Sequence, residues 1–159
     1  FQSVVIIASI IFAKKNNDDV FEYLDVVALV SPIGIFFGRT ANFINSELYG
    51  PITNVPWAVT FINIDNLPRH PSQLYEALLE GLVLFLILIY FKNKFSNKPG
   101  LISALFLIFY SIFRFFVEFY RVPDEQLGFI FLNLSMGQVI SLLFILSGVT
   151  LFYFKYENR

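Results

Sequence analysis

Four arginines stand apart from the other basic residues of this chain. Arg39, Arg69, Arg114 and Arg121 lie beside or within apolar runs, whereas the lysines sit in short polar connections or at the ends of such runs. Arg114 interrupts LISALFLIFYSIFRFFVEFYR. At about 100° per residue, Glu118 falls about 40° from it and Arg121 about 20° the other way, so three charges share one helical stripe. A charge in hydrocarbon must pair or face the interior of a bundle. Two Arg and one Glu leave a positive excess, and guanidinium forks match phosphate oxygens at two points. The competing explanation is structural, an Arg114–Glu118 salt bridge with Arg121 snorkelling to the headgroups.

Two further polar stripes point the same way. In GRTANFINSELYG, Arg39, Asn42 and Ser46 fall within about 60° of one another if the helix continues, with Asn45 and Glu47 close by. The alternatives are a helix end emerging into water, capped by Asn and Ser, and a polar pocket at the membrane surface. In RHPSQLYEALLEG, Gln73, Glu76 and Glu80 share a face, preceded by Arg69 and His70. Glu80 lies about two turns into the apolar run, so it must turn inward or pair with an Arg. His70 reads as an interfacial residue that caps the helix or bonds Glu76. Tyr75, Tyr110 and Tyr120 read first as anchors in an interfacial aromatic belt.

The elements that must position these groups are membrane spans. Of the 159 residues 57% are apolar and 14% charged, with 21 Phe and no Cys; a soluble domain carries about a quarter charged residues. This composition excludes a large soluble catalytic domain, a disulfide, a thiolate nucleophile and a zinc–thiolate site. A single His excludes a His-rich metal cluster, and a net charge of −1 argues against a nucleic-acid partner. The expected architecture is an all-α integral membrane protein. It is a polytopic bundle of four full spans and a partial first one, forming a single transmembrane domain over 1–159. FQSVVIIASIIFA is too short to span before Lys14 and Lys15 end it. The full spans are expected from residue 23 to 38 and into the polar stretch beyond, then from about Gln73 to Phe91, Leu101 to Tyr120 and Met136 to Phe154. Pro32 predicts a kink in the first of these. Residues 46–72, with four of the seven Pro within 51–72, form an interfacial loop in which VPWAVTF reads as a short strand and Trp57 suits the headgroup level.

Lys14, Lys15, Lys92, Lys94, Lys98, Lys155 and Arg159 fall at one alternating set of span ends. By the positive-inside tendency that set is cytoplasmic, and the loops 46–72 and 121–135 face outward. All three polar stripes then lie toward the outward ends of their helices, as a site for an anionic lipid or polar solute entered from the outer leaflet would require.

GRTANFINSELYG, Gly38 to Gly50, resembles the signature of the bacterial prolipoprotein diacylglyceryl transferase family, G-R-x-[GA]-N-F-φ-N-x-E-x-x-G, where φ is apolar. All eight specified positions agree. RHPSQLYEALLEG, and FRFFVEFYRVPDEQLG followed by SMGQ, resemble the same family in the expected order. The resemblance implies transfer of a diacylglyceryl group from phosphatidylglycerol to the lipobox Cys thiol of a prolipoprotein signal peptide, with glycerol phosphate leaving. It implies no cofactor, and partners that are membrane lipid and that peptide. It also implies a multi-pass protein of the bacterial plasma (inner) membrane, with its active side outward and its C-terminus cytoplasmic.

On this reading Arg39 and Arg114 are the catalytic, phosphate-binding residues. Asn42, Asn45, Glu47, Gln73, Glu76 and His70 shape the substrate site. Glu118 orients Arg114, Gly50 permits a close backbone turn, and Arg121 steers lipid at the mouth. The absence of Cys fits, because the nucleophilic sulfur belongs to the substrate. A thiol with a pKa of about 8.5 needs a base to take its proton. The family has a His-Gly-Gly motif and a Tyr upstream of these segments, neither of which is found here, so the 159 residues alone are expected to be inactive. The rival reading is a transporter or channel subunit with an Arg- and Glu-lined path. It predicts polar residues at both ends of the spans, whereas LVLFLILIYF is apolar apart from its Tyr. A non-catalytic scaffold would tolerate joint loss of Arg39, Asn42 and Arg114.

Overall fold

The computed structural model describes residues 2–122, 129–131 and 134–157. Phe1, the PDEQLG part of the third segment and Arg159 therefore lie outside the described residues. Helix α1, Gln2–Asn16, is a 15-residue segment ending on Lys14 and Lys15. Four helices are long and apolar enough to cross a membrane: α2 (Val20–Ile44), α3 (Ser72–Lys94), α4 (Leu101–Tyr120) and α5 (Met136–Glu157). At about 1.5 Å per residue, the shortest of them matches the ~30 Å hydrocarbon core. The chain is thus an all-α, multi-pass membrane protein.

Helix α2 starts where the Asp19 carboxylate accepts the Phe21 N–H at 2.9 Å, a side-chain cap for an orphan donor. It runs unbroken through Pro32. Its polar continuation RTANFI stays helical, which makes the span longer than the apolar run alone. It stops at Ile44, and Ser46 and Leu48 adopt left-handed backbone at φ 59° and 54°. The condition under which Ser46 would join the Arg39 and Asn42 stripe is therefore not met, because the helix ends before Ser46 can share that face.

The loop that follows carries little regular structure. Val59–Thr60 (β1) pairs antiparallel with Pro68–Arg69 (β2), so the expected strand over VPWAVTF shrinks to two residues at its end. Beyond α4, Phe129–Phe131 (β3) pairs with Leu134–Ser135 (β4).

Small residues set the helix spacing, as expected where lipid offers no hydrophobic drive for helix association. A Cβ at Gly81 would lie 2.7 Å from the Phe36 Cβ and 2.9 Å from its Cα, so α3 meets α2 backbone to side-chain root. A Cβ at Gly148 would lie 2.8 Å from Ile108 Cγ1 and 3.1 Å from the Ala104 carbonyl, which holds α5 against α4. Ala28, Leu84, Leu88, Ile102 and Leu105 form the apolar core between α2, α3 and α4. Val26, Val30, Ile33 and Phe37 on α2, and Leu142, Leu143 and Leu146 on α5, remain exposed, as suits lipid-facing surfaces.

At the lysine-bearing end, Asp25 of α2 ties down the start of α4. Its carboxylate accepts the backbone N–H groups of Gly100 (2.8 Å) and Ser103 (2.7 Å) and the Ser103 hydroxyl (2.6 Å). Those N–H groups begin a helix and have no partner within it.

Candidate functional site

Within α3, residues Ala77–Val83 wind as a π-helix between two α-helical stretches. Segments of this kind widen the turn and recur at functional sites. Glu76 immediately precedes it and Glu80 lies inside it, and both are fully buried. Helix α2 brings Arg39 from one side, and α4 brings Arg114, Glu118 and Arg121 from the other.

Glu76 is the centre of the arrangement. Its Oε1 accepts from Arg114 Nη1 at 2.5 Å and from Arg121 Nη1 at 2.9 Å, and its Oε2 faces Arg39 Nε at 3.1 Å. Arg114 spans further: Nη2 reaches Glu118 Oε2 at 3.0 Å, and Nη1 lies 3.7 Å from Glu80 Oε1. Three guanidiniums face three carboxyl groups, so the positive excess counted on α4 alone is balanced by α3.

Depth sets Glu76 and Glu80 apart from the three arginines. The side chains of Arg39, Arg114 and Arg121 are 21%, 17% and 13% exposed, whereas those of Glu76 and Glu80 are 1% and 0%. An anion arriving from solvent or lipid therefore meets guanidinium before it meets Glu76 or Glu80. Forks preorganised on buried carboxylates can take up oxyanion oxygens without large rearrangement. The expected local Arg114–Glu118 pair is present, but it is one edge of a cluster drawn from three helices.

Around this cluster the loop is fastened by polar contacts. Gln73 Nε2 donates to the Glu47 carbonyl at 2.5 Å, and Ser72 Oγ to the Leu48 carbonyl at 3.0 Å. Gly50 donates to the His70 carbonyl at 2.9 Å. A Cβ at Gly50 would lie 2.8 Å from the His70 Cβ and collide with the Tyr120 carbonyl, so the close backbone turn expected there has a steric cause. His70 neither caps α3 nor bonds Glu76: its Nδ1 lies 3.1 Å from Tyr75 Oη, and its ring packs edgewise on Tyr75 and Tyr120. Trp57 Nε1 donates to the same Tyr75 hydroxyl at 2.7 Å. Tyr75 is thus a junction of loop and helix as well as a residue of the interfacial region.

Arg69 belongs to the loop and not to the cluster. It donates to both Asp65 oxygens, from Nη2 at 2.6 Å and from Nε at 3.1 Å and 3.3 Å, and lies over the Tyr49 ring. These hydrogen bonds hold the Asp65 carboxyl below its ordinary range and push the Arg69 guanidinium up. Asn42 is half-buried, and Asn45 and Glu47 are exposed. Among the described residues their side chains take no part in the Arg–Glu network; the backbone carbonyl of Glu47 instead accepts from Gln73, which fastens the loop.

Two details go beyond what the sequence shows. Glu80 turns inward as expected and is fully buried, but neither of its oxygens has a hydrogen-bond partner among the described residues, and Arg114 Nη1 stands 3.7 Å from its Oε1. Glu118 is gripped from the start of α5, where Ser135, the residue just before the helix, donates from Oγ to its Oε1 at 3.0 Å.

By fold and site this is a multi-pass helical membrane protein with a buried carboxylate–guanidinium cluster drawn from three of its spans. Residues 3–154 match the family model described as prolipoprotein diacylglyceryl transferase. The chain is 53% identical over 146 residues, 91% of its length, to the phosphatidylglycerol–prolipoprotein diacylglyceryl transferase of Rickettsia akari. It is 54% identical over 149 residues, 92% of its length, to the protein of the same name in Rickettsia bellii, and 52% identical over 151 residues, 93% of its length, to that in Rhodospirillum rubrum. The chain belongs to the prolipoprotein diacylglyceryl transferase family. It spans 56%, 57% and 55% of the length of these three relatives.

Proposed function

We propose that this chain supplies the phosphate-binding half of a transferase that moves the diacylglyceryl group of phosphatidylglycerol to the lipobox Cys thiol of a prolipoprotein signal peptide. Convergence of Arg39, Arg114 and Arg121 on one buried carboxylate carries the reading. In the reaction a sulfur–carbon bond forms as the carbon–oxygen bond to phosphate breaks. The thiol proton passes to a base, and glycerol phosphate departs with the bonding electron pair. Charge therefore develops on phosphate oxygens, which is where guanidinium forks stabilise a transition state.

Arg39 and Arg114 hold the departing phosphate and Arg121 admits it. Glu76 and Glu118 keep the forks aimed. Asn42, Asn45, Glu47, Gly50, His70 and Gln73 shape the loop and rim over the site, and Gly50 and Gln73 have direct contacts that suit that task. The lysine distribution supports a bacterial inner-membrane protein with the cluster and the loop 46–72 facing outward and the C-terminus in the cytoplasm. Leu84, Leu88, Ile102 and Leu105 pack the bundle toward the lysine end, which disfavours a polar conduit across it.

The test uses the full reading frame that encodes this chain, purified and incubated with phosphatidylglycerol and a Cys-containing signal peptide. The expected result is a peptide mass gain of one diacylglyceryl group, absent in Arg114→Ala. A folded enzyme giving no gain beside an active control, or an Arg114→Ala variant with full activity, would contradict the assignment.

A further inference from the structure

Helix α5 contributes no charged side chain to the cluster among the described residues, yet its first turn grips one of the cluster's carboxylates. Ser135 and Gln138 form a reciprocal cap. Ser135 Oγ accepts the Gln138 N–H at 3.2 Å, and Gln138 Oε1 accepts the Ser135 N–H at 3.0 Å. This is the S-x-x-Q form of the capping box. Because Gln138 N–H occupies a lone pair of the Ser135 oxygen, the hydroxyl proton is free to point at Glu118 Oε1, 3.0 Å away. Gly137 completes the grip: a Cβ there would lie 2.8 Å from Glu118 Cδ and Oε1 and 3.0 Å from Oε2. The carboxylate thus rests on the bare α-carbon, where the positive end of the helix dipole favours it. Its other oxygen holds Arg114 Nη2 at 3.0 Å while Arg114 Nη1 reaches Glu76.

We propose that Ser135 and Gly137 are positioning residues for the transfer reaction, which set the plane of the Arg114 fork through Glu118. The inference rests on the phosphate-binding role assigned above to Arg114. Arg114 is stretched between Glu76 of α3 and Glu118, and Glu118 is fixed in turn only if α5 keeps its first turn beneath it. The docking of α5 on α4 is in this way coupled to the geometry at the departing phosphate. A fork displaced by about 1 Å loses alignment with charge that develops only in the transition state, and such displacements cost up to about a hundredfold in rate.

The experiment measures kcat and KM for phosphatidylglycerol in the full reading frame, with thermal unfolding of each variant. Gly137→Ala forces the carboxylate off the helix end. Ser135→Asp keeps a competent helix cap but sets a second carboxylate against Glu118. Each is expected to lower kcat at least about tenfold with KM within about threefold. Ser135→Thr, which retains the hydroxyl, stays within about twofold of wild type, as does Ser147→Ala, an exposed hydroxyl on the same helix. Should Ser135→Asp not be recovered folded, Gly137→Ala in wild-type and Glu118→Gln backgrounds decides. A loss in the first and none in the second supports the proposal, and equal losses overturn it. Retention of half or more of the wild-type kcat by Gly137→Ala and Ser135→Asp, beside an inactive Arg114→Ala, would overturn this proposal alone. An active Arg114→Ala would overturn the phosphate-binding assignment and this proposal with it.

Discussion

Replacing Glu76 with Gln removes the charge at the centre of the cluster while keeping its shape. The side chain is 1% exposed and accepts from Arg114 at 2.5 Å and Arg121 at 2.9 Å, with Arg39 at 3.1 Å from the second oxygen. Removing one partner of a buried ion pair costs about 3–5 kcal/mol, because the other charge stays buried without compensation. The three guanidiniums retain 13% to 21% exposure, so water screens part of that penalty. About 2–3 kcal/mol is then expected for Glu76→Gln. The uncompensated arginines should also recruit an external anion. A ligand at a hundred times its Kd stabilises by about 2.7 kcal/mol, which would return most of the loss. The assay is unfolding of the detergent-solubilised full-length protein, wild type and Glu76→Gln, with and without saturating glycerol phosphate. The variant should unfold more readily and gain more from glycerol phosphate than wild type does. A variant as stable as wild type, or one indifferent to glycerol phosphate, would refute the central place given to Glu76.

Gly81→Ala should destabilise the protein by about 1–3 kcal/mol, since its Cβ would press on the Phe36 backbone at 2.9 Å. Gly34→Ala on α2 meets nothing within 4 Å and should be neutral in the same unfolding measurement. Asp65 should titrate below the ordinary 3.8, because Arg69 hydrogen bonds hold it ionised. Its contribution to loop stability is therefore present above that pH and is lost as pH falls through the lowered value. Carboxyl-carbon NMR should show the low midpoint in wild type and its return to the ordinary value in Arg69→Gln.

The spans were legible because hydrophobic runs of about 20 residues leave few alternatives; α4, Leu101–Tyr120, has the boundaries read from the sequence. The three polar stripes were legible for the same reason, since charge in an apolar run must turn inward. Their partners were not. Periodicity pairs Arg114 with Glu118 on its own helix, but its shortest contact is Glu76, 38 residues away in the chain, and only the packing of α2, α3 and α4 shows it. Whether the stripe extended to Ser46 was left open in the sequence, because helical periodicity does not register a left-handed residue beyond a helix end. Asp25 carried a faint signal, an acid in an apolar run, but which helix end it would cap is a tertiary fact. SMGQ had the spacing of a capping box, and only the fold reveals that the box faces Glu118.

The most direct measurement is the position of a bound lipid phosphate in the structure of the full-length protein reconstituted with phosphatidylglycerol. The account predicts phosphate oxygens within hydrogen-bonding distance of the Arg39 and Arg114 guanidiniums, on the open side of Glu76. A phosphate bound instead at the lysine-bearing ends of the spans, with the arginine cluster holding only its own carboxylates, would contradict it.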